Sequence, residues 1–410
     1  MKSDLDRLMA ERKLDALMTL PTEHENPVRA YLSNGAHFSG MVIKKRGEPP
    51  VLLAHSMERD EAAKSGLRVY TWDDFGYSAL HQQHADAPDK ATVLWYRRIF
   101  EALGVRGRVN ICGVGDLNVG YRTLRALSVN MVGQVVFVTE TARDTIFDRA
   151  YETKDADELA ALRDVAARAS AVMRATRDWL ATHRADDDGI VRAADGQPLT
   201  VGAVKRRVRV WLLEHDLEDP EGMIFAQGRD AGVPHSSGQD DQPLRVGVAI
   251  VFDLFPRAPG GYFHDATRTW CLGQAPPDVQ AAYDDVMRAY RLAAEMCAPD
   301  VSTTAVQRAV CEHFEACGHP TVLNSPGTTD GYVHSLAHGL GLNVHEAPYF
   351  PTHGDRYRLQ AGNVFTLEPG LYYPERGFGV RVEDTVLLDE EGALQTLTDV
   401  PYDLVIPLQG

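Results

Sequence analysis

The stretch HSLAHGLGLNVHEAP (334–348), followed by LQAGNVFTLEPGLYYPERGFGVRVEDTVLL (359–388), decides how this chain is read. His334, His338 and His345 stand four and then seven residues apart in a Gly-rich setting. Glu368 and Glu383 follow, each inside an apolar, β-branched run with the pattern of a strand. A carboxylate among buried strand residues is costly unless a cation or a donor compensates it. Two of them beside a histidine cluster point to a metal.

An earlier stretch repeats the pattern. Leu244-Arg-Val-Gly247 is followed six residues after its glycine by Asp253, and then by a second acid, Asp265. Leu359-Gln-Ala-Gly362 is likewise followed six residues on by Glu368, and then by Glu383. Each second acid has a threonine two positions further, Thr267 and Thr385. This reads as one strand–hairpin unit used twice, with an acid on each strand of each unit. Two such hairpins related by pseudo-symmetry could aim four carboxylates at one point. Four carboxylates with one or two imidazoles suit a pair of divalent ions such as manganese, cobalt or zinc.

Asp253, Asp265, His338, Glu368 and Glu383 resemble the five metal ligands of the pita-bread metallopeptidases, the creatinase and methionine aminopeptidase-like group. The branch they resemble most is the proline-specific one, Xaa-Pro dipeptidase (prolidase) and aminopeptidase P. The resemblance is carried by LFPRAPGGYFHDATRTW (254–270), HSLAHGLGLNVHEAP, TLEPG (366–370) and RVEDTV (381–386), and it spans the C-terminal two-thirds of the chain. Residues 1–150 resemble the creatinase-type N-terminal domain loosely.

The resemblance implies two divalent ions, manganese first, with cobalt or zinc able to occupy the same oxygen-rich shell. Asp253 would bind one ion, Asp265 and Glu383 would bridge both, and His338 and Glu368 would complete the other shell. Glu368 is the expected proton shuttle. His345 and, on the opposite wall, His235 in GVPHSSG (232–238) resemble the histidines that face the scissile carbonyl and its oxyanion. His334 is expected to shape the substrate pocket, and Arg381 to orient the bridging acids. Arg356 or Arg358 in GDRYRLQ (354–360) are candidates for a product carboxylate, with a solvated loop as the plain alternative. One departure stands out: the branch usually carries a tyrosine upstream of the His235 segment, and DPEGMIFAQG (219–228) has none.

The expected reaction is two-metal hydrolysis of the peptide bond in Xaa-Pro substrates, with short proline-containing peptides as partners. Alternatives on the same scaffold are an aminopeptidase P, a proline-specific carboxypeptidase, or a non-peptidase such as a small-molecule lyase. No GxSxG elbow or activated cysteine offers a competing nucleophile. A homodimer is expected from the behaviour of creatinase-type N-terminal domains.

With 410 residues the chain is too long for one ordinary core. A composition of 44% hydrophobic and 24% charged residues belongs to a soluble globular protein. Fifty-eight acids against 42 bases, a net charge of −16, argue against nucleic acid or an anionic membrane as partner. Cys112, Cys271, Cys297, Cys311 and Cys317 show no CxxC spacing, which speaks for a reducing cytoplasm. MKSDLDRLMAERKLDALM (1–18) lacks the apolar core of a signal peptide, and no uncharged apolar run nears the ~18 residues of a membrane span.

The expected architecture is an α/β N-terminal domain over 1–150, followed over 151–410 by an α+β pita-bread catalytic domain with an internal pseudo-two-fold duplication. In the first, helical periodicity at 4–17 leads to strands near 15–20, 40–44, 50–54, 107–112 and 134–138. GVGDLNVG (113–120) has the wrong glycine spacing for a dinucleotide fingerprint and reads as a strand-to-helix turn. His81 and His84 read as part of a solvated loop, and His215 as a helix end. In the second domain, helices near 155–183 and 200–215 flank a loop at 184–198. Helices near 278–297 and 302–317 open the second repeat. Each half is thus helix, helix, hairpin, with both hairpins expected in one curved sheet.

Overall fold

The computed structural model describes residues 2–22, 25–142 and 144–409, and the chain divides into two compact units, Met1–Tyr151 and Glu152–Gly410. In the first unit, strands β1 (Ala16–Thr19), β2 (Gly40–Lys45), β3 (Val51–Ala54), β4 (Arg68–Thr71), β5 (Gly107–Cys112) and β6 (Val135–Val138) form one mixed sheet in the order β4-β3-β2-β1-β5-β6. Helices α1 (Leu5–Glu11), α2 (Pro27–Leu32), α3 (Arg59–Ala63), α4 (Tyr77–Gln83), α5 (Pro88–Leu103), α6 (Leu117–Asn130) and α7 (Ile146–Tyr151) accompany it. The core joins Met18, Met41, Leu53, Trp95, Ile99 and Val109. GVGDLNVG is a strand-to-helix turn in which the Asp116 side chain caps the start of α6. Two local expectations fail. The first helix stops at Glu11, because Lys13 takes a left-handed φ of 57° before β1 begins. His81 lies inside α4, its Nδ1 2.9 Å from the Tyr77 carbonyl, not in a loop.

The second unit repeats itself. Helices α8 (Ala156–Ala181) and α9 (Val201–Glu214) precede one hairpin, and α10 (Pro277–Met296) and α11 (Thr303–Ala316) precede the other. Each helix pair has its own apolar core: Val172, Val208, Phe252 and Trp270 meet in the first half, Val286, Val310, Phe365 and Val386 in the second. The Asp155 capping box starts α8. The 184–198 segment is not all loop, since β7 (Arg184–Ala185) and β8 (Val191–Arg192) pair within it.

The first hairpin is β10 (Ala249–Leu254) against β11 (Ala266–Leu272), with β9 (Ile224–Gln227) on its other edge. In the second half β12 (His338–Gly339) and β13 (Glu346–Tyr349) lie beside β14 (Val364–Leu367). Beyond it come β15 (Gly370–Tyr373), β16 (Phe378–Arg381), β17 (Asp384–Leu388), β18 (Leu394–Thr396) and β19 (Val405–Ile406). β14 pairs with β17, and β15 with β16, so the second hairpin is one long ribbon broken in the middle. The sheet order is β19-β11-β10-β9 in one half and β13-β12-β14-β17-β18 in the other.

The single curved sheet of the sequence reading is therefore divided into a four-stranded, a five-stranded and a two-stranded sheet, and the halves touch at the paired backbones of Thr267 and Glu383. The acids also sit differently from expectation. Asp253 alone lies within a strand; Asp265, Glu368 and Glu383 stand at strand breaks. Pro369 explains one break, because it has no N–H to give the ladder. The Glu368 N–H turns instead to the Leu336 carbonyl at 2.9 Å.

Candidate metal centre and active site

The strand breaks aim their side chains into one cavity of about 520 Å³, which Asp253, Asp265, His338, Glu368, Glu383 and Arg381 help to line. Ligand atoms of Asp265, His338 and Glu383 all lie within 4.8 Å of one another. His338 Nε2 is 3.7 Å from Asp265 Oδ2 and 3.5 Å from Glu368 Oε1. Its Nδ1, 3.1 Å from the Gly339 carbonyl, must carry the proton, because a carbonyl only accepts. That tautomer leaves the Nε2 lone pair facing the carboxylates.

Charge is badly matched there. Burial and the surrounding carboxylates, Glu383 foremost, push Asp265 well above the usual range. Glu368 shifts the same way, by burial and then by Glu383. Burial and Asp253 bring Glu383 up to about 8. Burial drops His338 and His334 to about 3. Asp253 Oδ1 and Asp265 Oδ1 are buried and have no hydrogen-bond partner among the described residues. Clustered acids, neutral imidazole and orphaned oxygens are a donor set that fits divalent cations.

Arg381 braces the cluster from behind. Its Nη2 donates to Asp253 Oδ2 at 2.5 Å, Nε to Thr267 Oγ1 at 3.0 Å, and Nη1 to Tyr372 Oη at 2.8 Å and to the Pro234 carbonyl at 3.2 Å. Thr267 in turn donates to Glu383 Oε2 at 2.7 Å. His334 gives its Nδ1 proton to the Ser335 carbonyl at 2.8 Å, so Nε2 accepts from Tyr372 at 2.9 Å. His345 packs against His338 with ring centroids 4.3 Å apart, and both His345 and His235 line the cavity.

Arg356 does not join them: it is exposed, outside the cavity lining, with its guanidinium 5.1 Å from the Tyr357 ring. Arg358 pairs with Asp355 at 2.5 Å. Where the branch's upstream tyrosine is missing, Met223 and Ile224 line the cavity, and Thr267 is a donor to Glu383. Tyr372 and Gln307 escape the sequence reading. Gln307 Oε1 accepts the Leu336 N–H at 2.5 Å and so fixes the turn between His334 and His338. Neither has a spacing signal, since a tyrosine in a buried strand and a glutamine in a helix are common.

A duplicated helix–helix–hairpin unit with acids at the seam defines a pita-bread fold. The model for metallopeptidase family M24 matches residues 160–390, more than half of the chain, which belongs to that family. Such membership implies divalent metal ions. The chain is 27% identical over 372 residues to the probable dipeptidase PepE of Mycobacterium tuberculosis, covering 90% of this chain and 85% of that one. It is 34% identical over 182 residues to the Xaa-Pro dipeptidase of Pyrococcus furiosus, covering 44% and 48% of the two chains. In fold it is similar to the prolidase from Pyrococcus horikoshii OT3, with a TM-score of 0.72 and 21% identity over 98% and 99% of the chains. The Xaa-Pro dipeptidase from Bacillus anthracis gives a TM-score of 0.74 at 18% identity over 99% of each.

Proposed function

We propose that the protein hydrolyses the peptide bond of Xaa-Pro dipeptides with two divalent ions held by Asp253, Asp265, His338, Glu368 and Glu383. The observation that carries this reading is the convergence of those residues, with two orphaned carboxylate oxygens, in one cavity. When bound, the ions supply a water acidified toward hydroxide and polarise the scissile carbonyl. Glu368 takes a proton from the attacking water and passes it to the leaving prolyl nitrogen. His345 and His235 face the carbonyl from two sides and donate to the oxygen as it gains charge. Arg381 keeps Asp253 and the His235 loop in register through Asp253 Oδ2 and the Pro234 carbonyl. His334, neutral and tied to Tyr372, walls the substrate side.

A cavity near 520 Å³ suits a short peptide. Ile224, Phe255 and Val344 give it an apolar wall on which a pyrrolidine ring can rest. The curated relatives named above are a probable dipeptidase and an Xaa-Pro dipeptidase, which favours Xaa-Pro dipeptides over longer substrates. Oxygen-rich ligation favours manganese as the resident ion. A panel of Ala-Pro, Ala-Pro-Ala and a longer peptide ending in proline, assayed with added manganese, tests the reading. Turnover of Ala-Pro with the others slow is the expected result. Cleavage of none would overturn it, and preference for Ala-Pro-Ala would move it to an aminopeptidase.

The protein is further proposed to act as a cytoplasmic homodimer. On and just after α6 the N-terminal unit exposes Leu117, Tyr121, Val129 and Val132, between 64% and 83% accessible, which is apolar surface of the kind interfaces cover. Sedimentation of wild type against Leu117→Glu checks it, since a monomer in both would refute the dimer. Among the described residues no helix is long and apolar enough to cross a membrane.

A further inference from the structure

Away from the cavity, α10 and α11 bring a second set of donor atoms together. His313 lies in the last turn of α11, and Cys317, its C-cap, follows four residues later. Residues at that spacing share one helix face. The flank beside that face packs into the core, because Gln307, Val310 and Phe314 are buried. His313 and Cys317 instead meet Asp285 of α10, and one ligand atom from each of the three lies within 4.8 Å of the others. Cys317 Sγ is 3.9 Å from His313 Nε2.

A second layer of contacts orients the carboxylate. His319 Nε2 stands 3.0 Å from Asp285 Oδ2, and His319 Nδ1 is 2.5 Å from Tyr373 Oη. With the phenol donating to Nδ1, Nε2 keeps its proton and gives it to Asp285. Ligating carboxylates at metal sites are held by hydrogen bonds in this manner. Burial pulls Asp285 up, but the bonds from His319, Cys317 and Arg288 outweigh it and keep the carboxyl below its usual range. It is therefore anionic at neutral pH.

We propose that Asp285, His313 and Cys317 form a second cation site, for a borderline divalent ion of the zinc class, apart from the catalytic cavity. One thiolate, one imidazole and one carboxylate are softer than the oxygen-rich catalytic set and match zinc, cadmium or cobalt better than manganese. On binding, His313 Nε2 leaves the Asp285 main-chain carbonyl, now 3.2 Å away, and its proton passes to Nδ1, while the Cys317 S–H bond ionises, its electron pair goes to the cation and its proton leaves to solvent. Arg288, which now pairs with Asp285 and has a side chain 54% exposed, turns to water. Three protein ligands at a partly exposed position leave one place for a water molecule.

The test needs no turnover. Full-length protein loaded with manganese is titrated with cadmium, and the ultraviolet charge-transfer absorption of thiolate bound to cadmium is recorded. No cysteine lines the catalytic cavity, so a sulfur band cannot arise there. The expected result is a band that saturates at about one equivalent per chain. It disappears in Cys317→Ser, weakens about tenfold or more in affinity in His313→Ala, and persists in Cys112→Ser. Circular dichroism confirms that each variant is folded. Absence of a band in wild type, or a band that survives Cys317→Ser, overturns the proposal.

Discussion

Arg381 donates to Asp253 across the seam between the two hairpins, and the same guanidinium holds Thr267, Tyr372 and the Pro234 carbonyl. One planar cation thereby sets the position of Asp253, a neighbour of Glu383 and the His235 loop. Lysine has a point charge and no fork. Arg381→Lys should lower kcat/KM on Ala-Pro by roughly 10–100-fold, as loss of a supporting partner does at metal sites. Steady-state kinetics alongside elemental analysis of bound metal check this. Unchanged kinetics would remove the bracing role.

Glu368 is the acid with a strand break beneath it and His338 at 3.5 Å. Glu368→Gln keeps the shape and removes the carboxylate proposed to carry the proton. The expected loss in kcat is at least about 100-fold with KM nearly unchanged. A variant that keeps wild-type kcat would transfer the shuttle to another group.

Stability of the metal-free protein should fall as pH rises. Glu383 moves from 4.5 to about 8 on folding without metal, so the folded state binds more protons between those values, and raising pH in that window destabilises it. His334 and His338 work the other way. Their folded values near 3 against 6.5 contribute stability that is present above 6.5 and lost as pH drops. Above about pH 7.5 these histidines are neutral in both states, so the raised carboxylates set the slope there. Thermal melts in chelator should show Tm declining above that pH, and saturating manganese should remove the decline. A flat or rising Tm in chelator would contradict the clustered-acid picture.

Lys154 and Glu346 form a buried ion pair, with side chains 1% and 4% accessible. Asn343 completes the Glu346 shell through its N–H at 3.3 Å and Nδ2 at 3.2 Å, which steadies the turn carrying His345. Removing one partner of such a pair costs about 3–5 kcal/mol, whereas replacing both by apolar groups is often neutral. Lys154→Met should lower stability by that order in urea titration, and Lys154→Met with Glu346→Leu should recover most of it. Equal loss in single and double variants would place the cost in packing instead.

The acids proposed as ligands stand out in sequence because the spacing from Gly247 to Asp253 recurs from Gly362 to Glu368. The long helices are legible from their period. Strand breaks at Asp265, Glu368 and Glu383 are not, since β-branched runs look continuous where the ladder has stopped. Pro369 was the available clue. Thr267 and Thr385 mark the repeat in sequence, yet their contacts are cross-hairpin and carry no local signal. Tyr372 and Gln307 act through partners far along the chain, at 334, 381 and 336. Arg356 looks like a carboxylate binder by charge, but the tertiary fold keeps it outside the cavity lining.

The two threonines have a reciprocal arrangement. Thr267 of the first hairpin donates to Glu383 of the second at 2.7 Å, and Thr385 of the second donates to the Asp265 carbonyl of the first at 2.8 Å. Each repeat thus completes the other's wiring. A fragment ending between β11 and α10 would keep a helix pair and a share of the acids, yet leave its own half of this exchange unanswered. Splitting the domain there should yield pieces that regain order only when mixed, so the duplication behaves as an interlocked dimer within a single polypeptide.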